Sequence, residues 1–97
     1  GLFVYIDRKM GPPQWSDVGM FLQTVMLIAR EKGLHSCAQE AWAMWHSTVN
    51  KHLVVDNKFM LFCGMGIGYA DESHPINSWR TDREAVENFT TFYGFEK

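Results

Sequence analysis

The spacing of hydrophobic positions changes several times along this chain, and each change marks an element. Residues 2–7, "LFVYID", combine β-branched and aromatic side chains without helical spacing, which predicts a strand. "RKMGPPQW" follows as a loop, since Gly11, Pro12 and Pro13 forbid regular structure there. From Ser16 the period becomes 3.6. Val18, Phe21, Leu22, Val25, Ile28 and Ala29 recur at three- and four-residue steps and predict a helix over 16–32, capped by Ser16 or Asp17. Met20, Thr24, Met26 and Leu27 widen its apolar surface beyond one stripe, so the helix needs a second surface to bury against. "REKG" ends it, with basic residues in the last turn and Gly33 as a left-handed terminator.

A second helix is predicted to open almost at once. Ser36 and Gln39 have the spacing of a capping box, and Ala41, Trp42, Trp45, Val49 and Leu53 give the inward face. Residues 56–58, "DNK", read as a turn. "FMLFCGMGIGYAD" from Phe59 is a near-continuous apolar run ending in glycines, the pattern of a buried strand. "ESHPINSW" is a loop. Thr81 and Glu84 form a second capping box, opening a short helix through Asn88, and "TTFYGF" closes the chain as a strand or extended arm. No repeats or low-complexity segments interrupt this order.

Composition narrows the picture. Ninety-seven residues suit one domain at most, and 46% hydrophobic with 14% aromatic content supports a core. A net charge of −2 gives no basic footprint, which argues against nucleic acid as a partner. No apolar run reaches membrane-spanning length, so no membrane partner is expected. Two cysteines make no disulfide framework, and a reduced, cytoplasmic setting fits them better. The opening "GLFVYID", without an initiator Met, reads as a fragment.

The candidate chemistry is divided. Gly64, Gly66 and Gly68 lack the third gap and the following helix of a dinucleotide fingerprint, so close backbone approach in a strand explains them better. His35, His46, His52, His74, Cys37 and Cys63 lack zinc-type pairing, and no metal is expected. A helix N-terminus at Cys37 would favour a reactive thiol, though a small half-buried residue accounts for it better. Arg80 and Arg83 flank a helix start in a manner suited to a phosphate, or else are solvated arginines bonding Asp82, Glu84 or Glu87. Trp42 and Trp45 suit a core or interface better than a ligand-stacking box.

Taken together, "QWSDVGMFLQTVMLIAREKGLHSCAQEAW", "MLFCGMGIGYADESHPINSWRTDRE" and "FTTFYGF" resemble the C-terminal half of the FMN-dependent nitroreductase family. The resemblance spans almost the whole chain. It implies an α+β fold with helices packed on an antiparallel or mixed sheet, an intertwined homodimer, and residues 1–97 as the C-terminal fragment of an FMN-binding domain. It also implies ping-pong hydride transfer from NADH or NADPH, through FMN, to a nitroaromatic or quinone-type small molecule. The family positions matched by Gln39, Glu40 and Ala41 present amides near N5 and the O4 edge of the flavin ring. Those matched by Arg80 and Arg83 hold the FMN phosphate. No residue is expected to act as a catalytic acid, because the flavin carries the chemistry. Ala38 stands where the family often has proline, and Ala41 where glycine occurs. The family's N-terminal phosphate- and ribityl-binding segment has no counterpart in these residues. A second reading follows: a dimerisation or flavin-binding remnant that does not turn over.

Overall fold

The computed structural model describes residues 1–95. Its centre is a three-stranded antiparallel sheet in the order β1-β3-β2, with β1 at Leu2–Asp7, β2 at His35–Gln39 and β3 at Phe59–Gly68. Helix α1, Pro12–Glu31, connects β1 to β2. A 3-10 helix, Glu40–Trp45, runs into α2, His46–Leu53, before β3. The expected α+β class is therefore present, with β1 at the predicted bounds and β3 starting where predicted.

Helix α1 begins four residues earlier than the sequence suggests. Pro12 and Pro13 occupy its first two positions, where a missing N–H costs nothing and a fixed φ favours the helix. Neither Ser16 nor Asp17 caps it; the Ser16 hydroxyl instead donates to the Pro12 carbonyl at 3.4 Å. The other end follows expectation. Gly33 has φ +75°, and its N–H donates to the Arg30 carbonyl. Leu22 and Ala29 are buried, and Val18, Val25 and Met26 pack beside Leu22 against Cys63 and Met65 of β3. Phe21 and Ile28 point outward with Met20 and Leu27, contrary to their predicted inward place.

A bulge in β3 decides which of its side chains reach each face of the sheet. Val4 pairs with Cys63 but Tyr5 pairs with Leu61, leaving Phe62 as the extra residue. Beyond the bulge the alternation is inverted. Cys63 and Met65 join the α1 core, whereas Leu61 shares its face with Tyr5. That second face is where α2 attaches: the Tyr5 hydroxyl donates to Asn50 Oδ1 at 3.0 Å, and Val49 is buried.

The predicted capping box at Ser36 does not form. Ser36 lies in β2 opposite Ile67, and Gln39 pairs with Gly64. Local capping preference yields here to a ladder with a long, well-buried partner strand. Splitting the expected second helix also changes its inward face. Three residues per turn in the 3-10 segment rotate Trp45 out to solvent, while Ala41 and Leu53 are exposed too.

The C-terminal region departs in the same way. Residues 80–85 have no regular structure, and α3 is a single turn, Val86–Phe89. Both halves of the predicted box are engaged elsewhere: Thr81 Oγ1 accepts from Arg83, and Glu84 accepts from Asn88. "TTFYGF" is an exposed arm and pairs with no strand among the described residues.

Candidate functional site

The candidate residues fall at the two ends of β2. At one end, the chain leaves the sheet at Gln39 and turns into the 3-10 helix at Glu40. Trp42 fixes this corner. Its indole lies so close over Gly64 that a Cβ there would sit 2.4 Å from Trp42 Cδ1. The Phe3 ring meets it edge-on at 5.3 Å between centroids, and its Nε1 donates to Gln39 Oε1 at 3.1 Å. Gly64 thus has the close-approach role expected of it. Gly66 and Gly68 instead face open space.

Gln39, Glu40, Ala41, Trp42 and Trp45 line one open groove of about 460 Å3. No side chain caps the 3-10 helix, so the N–H groups of its first turn keep their donor capacity. The groove has two indole walls and a polar corner, a fit for a flat heteroaromatic ring with hydrogen-bonding edges.

At the other end, His35 opens β2 opposite Gly68. Arg30, His35, Ser36, Ala70, Glu72, Asn77, Ser78 and Arg80 line a cleft of about 500 Å3 there. Arg80 Nη1 donates to the Asn77 and Trp79 carbonyls, both at 3.1 Å. Arg83 lies farther along the exposed segment, donating to the Thr81 and Asp82 carbonyls. The structure therefore joins Gln39, Glu40 and Ala41 in one groove and puts Arg80 in a second. Arg83 is not among the lining residues of Arg80's cleft. The two grooves are separated by the length of β2, about 13 Å for four residue steps. A ligand with a planar ring at one end and an anion at the other has that shape.

Cys37 lies in mid-strand and is exposed, so the helix N-terminus that would have activated its thiol is not there. Cys63 is buried, with its thiol on the Gly64 carbonyl. In the loop after β3, the Ser73 hydroxyl and N–H donate to the Asp71 carboxylate and hold it below its ordinary value.

Comparison with known proteins decides the family. The model of the nitroreductase family matches residues 3–69. The chain belongs to the nitroreductase family. It is 42% identical to a 4-nitrobenzoate reductase of Pseudomonas putida over its full length, covering 43% of that protein. A nitrobenzene nitroreductase of Ectopseudomonas oleovorans is 36% identical over 95% of this chain and 40% of its own. The fold superimposes on an FMN- and NADPH-dependent nitroreductase, NfnB from Sphigopyxis sp. strain HMH, with a TM-score of 0.92 at 46% identity. The match covers 96% of this chain and 42% of that one. The FMN-dependent NfnB from Mycobacterium smegmatis, solved with NADPH, gives 0.88 at 27% identity over 94% and 40%. This nitroreductase-family chain thus spans about two-fifths of the relatives it matches.

Sequence reasoning missed Arg30 and His35 at the second cleft. Arg30 reads as an ordinary basic residue of a helix's last turn. The signal for His35 was period two: residues 35, 37 and 39 stand opposite Gly68, Gly66 and Gly64.

Proposed function

We propose that this chain is part of a cytoplasmic, homodimeric FMN-dependent oxidoreductase that moves electrons from NAD(P)H to nitroaromatic or quinone-type acceptors. The observation that carries this reading is the groove at Gln39, Glu40 and Ala41, connected through β2 to the Arg80 cleft. Similarity to FMN- and NADPH-dependent nitroreductases supports it. Bound FMN would supply the ping-pong chemistry, taking hydride from the nicotinamide and passing it to the second substrate.

The chain's own residues have three tasks in this account. Trp42 and Trp45 exclude water from a ring in the groove and orient it. The N–H groups at the start of the 3-10 helix donate where negative charge develops on the ring edge, and being fixed beforehand they need no reorganisation. Arg80, joined by Arg83, pairs with the phosphate through charge-assisted hydrogen bonds. Both guanidiniums spend one nitrogen on backbone carbonyls, which holds their remaining donors in place.

The exposed row Met20, Phe21, Leu27 and Ile28 on α1 supports the homodimer, since such a patch is large for a monomer. The same row serves the second reading, a dimerisation remnant without turnover. Two measurements separate them on the full-length protein bearing this chain. Retained FMN with NAD(P)H-dependent bleaching, reversed by a nitroaromatic, supports the enzyme; a colourless dimer supports the remnant. Replacing both Arg80 and Arg83 by Ala should weaken FMN by about 1.5–3 kcal/mol per lost charged contact. Unchanged FMN affinity in that double variant would refute the phosphate role.

A further inference from the structure

A further cavity, of about 440 Å3, lies at the end of the sheet where β1 leaves it. Arg8 lines it from the end of β1, Ser47, Asn50 and Lys51 from α2, and Val54 and Val55 from the turn beyond. Both sites described above are remote from it. Asp7, next to Arg8, pairs with Phe59, five residue steps along β3 from Gly64 and nine from Gly68. Those steps are about 17 Å and about 30 Å of strand.

The donors of this cavity are oriented in advance. Arg8 Nε donates to the Asn57 carbonyl at 2.7 Å, and its backbone N–H donates to the Lys58 carbonyl at 2.9 Å. Its two terminal guanidinium nitrogens have no partner among the described residues. The Asn50 amide is held in a similar way. Its Oδ1 accepts from the Tyr5 hydroxyl at 3.0 Å, so Nδ2 keeps both hydrogens to give. Acceptors are scarce by comparison. No Asp or Glu lines the cavity, and Asp7 and Asp56, which adjoin lining residues, are spent on their own turns. Asp7 Oδ1 accepts from the Lys9 N–H, and Asp56 accepts from the Lys58 N–H and pairs with its ammonium. Arg8 and Lys51 therefore bring two positive charges to a cavity that offers donors and no counter-ion.

Two charges with N–H and O–H donors around them suit a dianion that has several terminal oxygens. The volume is of the size that holds small organic ligands, about 300–1,000 Å3, and Val54 and Val55 supply an apolar stretch for a carbon body. We propose that Arg8 and Lys51, with Ser47 and Asn50, form a binding site for a small phosphate monoester, separate from the ring groove and from the Arg80 cleft. Nothing in this assignment passes through the flavin. Two sources share the chemistry: the 2′-phosphate of NADPH and an unrelated phosphorylated metabolite.

The test uses the full-length protein bearing this chain, with isotope-labelled asparagine and the Asn50 side-chain resonance assigned from its loss in Asn50→Ser. Butyl phosphate should move the Asn50 Nδ2 resonance saturably and bind several-fold more tightly than inorganic phosphate, through its contact with the valines. Arg8→Gln and Lys51→Gln should each weaken it about tenfold, the lower end for a charge-assisted hydrogen bond, because both cations are exposed. Lys51 is in no ion pair among the described residues, so its variant keeps the test valid even where Arg8→Gln disturbs the turn at Asn57. Arg80→Gln should leave the Asn50 response unchanged. Competition then identifies the source. NADP+ that displaces butyl phosphate where NAD+ does not assigns the nucleotide, and NADP+ that fails to displace it assigns the separate metabolite.

An Asn50 resonance that butyl phosphate does not move, or a Lys51→Gln protein that binds it like the wild type, would overturn the site. Inorganic phosphate binding as tightly as butyl phosphate would overturn the assignment to an ester. A response lost in Arg80→Gln would do the same for the site's independence from the Arg80 cleft. Failure of the flavin reading looks different: a protein without FMN still binds butyl phosphate beside Asn50.

Discussion

Replacing Gly64 by Ala probes the contact that builds the corner at Gln39. The new Cβ would lie 2.4 Å from Trp42 Cδ1 and 3.0 Å from Cγ, distances no packed side chain tolerates. The clashing atoms belong to the indole's near edge, so a rotation of the flexible end does not relieve them. Trp42 must move bodily, giving up its edge-on contact with Phe3 and its bond to Gln39. Overpacking of this kind costs about 1–3 kcal/mol. The lost aromatic pair adds about 0.5–1.5 kcal/mol. Removing a strand glycine returns roughly 0.5–1 kcal/mol. The balance is a net destabilisation of about 0.5–4 kcal/mol. Urea unfolding should show a lower midpoint at constant slope. Gly66→Ala and Gly68→Ala, whose added methyl groups meet nothing within 4 Å, are the controls and should be neutral or slightly stabilising. In the Trp42→Ala background, Gly64→Ala should lose most of its cost, because the two residues are coupled. Equal stability of the Gly64 and Gly66 variants would refute the claim that the indole is seated on the Gly64 backbone.

Two further substitutions test the surrounding frame. Val54 holds φ 55° and ψ 49° at the end of α2 while 88% exposed, a left-handed conformation that a β-branched residue adopts only at a cost. Val54→Gly should therefore stabilise the chain by about 1 kcal/mol in thermal unfolding, and any loss of stability would contradict the assignment of strain. Tyr5→Phe removes the hydroxyl bond to Asn50 and should cost about 0.5–1.5 kcal/mol. Burial raises the Tyr5 pKa above its ordinary value, so its contribution is complete below that value and lost as pH rises through the folded one. The wild type should accordingly lose stability in alkali faster than Tyr5→Phe; parallel pH profiles would count against the burial of the Tyr5 hydroxyl.

The sequence was most readable where side-chain period and burial agree. β1, the body of α1 and β3 follow from alternation, helical spacing and a continuous apolar run. It misled where a local signal met a tertiary partner. Ser36 and Gln39 have the spacing of a helix cap, but β3 offers an unpaired edge, and the ladder to Gly64, Gly66 and Gly68 prevails. Pro12 and Pro13 resemble a break because their rigidity suits both a loop and a helix's first turn, and only the chain that follows decides between them. At Thr81 and Glu84 the side-chain acceptors that would cap a helix are taken by Arg83 and Asn88, which spacing alone does not reveal. Of the candidate site, the grouping of Gln39, Glu40 and Ala41 survives the change from helix to strand, because both elements place them at a corner. The cleft around Arg80 was only partly visible, since Arg30 and His35 reach it from a helix end and a strand that meet only in the folded chain.

The central claim, that the amides at this corner act on the flavin ring, is tested most directly by the reduction potential of FMN in Ala41→Pro. Position 41 is the second residue of the 3-10 helix, and α1 already accommodates Pro13 in the corresponding place. The substitution deletes one N–H of a residue that lines the groove without removing Trp42 or Arg80. In the full-length protein bearing this chain, the account predicts near-normal FMN content, a lower potential and slower reduction by NAD(P)H. A folded, flavin-loaded variant with the wild-type potential and wild-type reduction rate would contradict it.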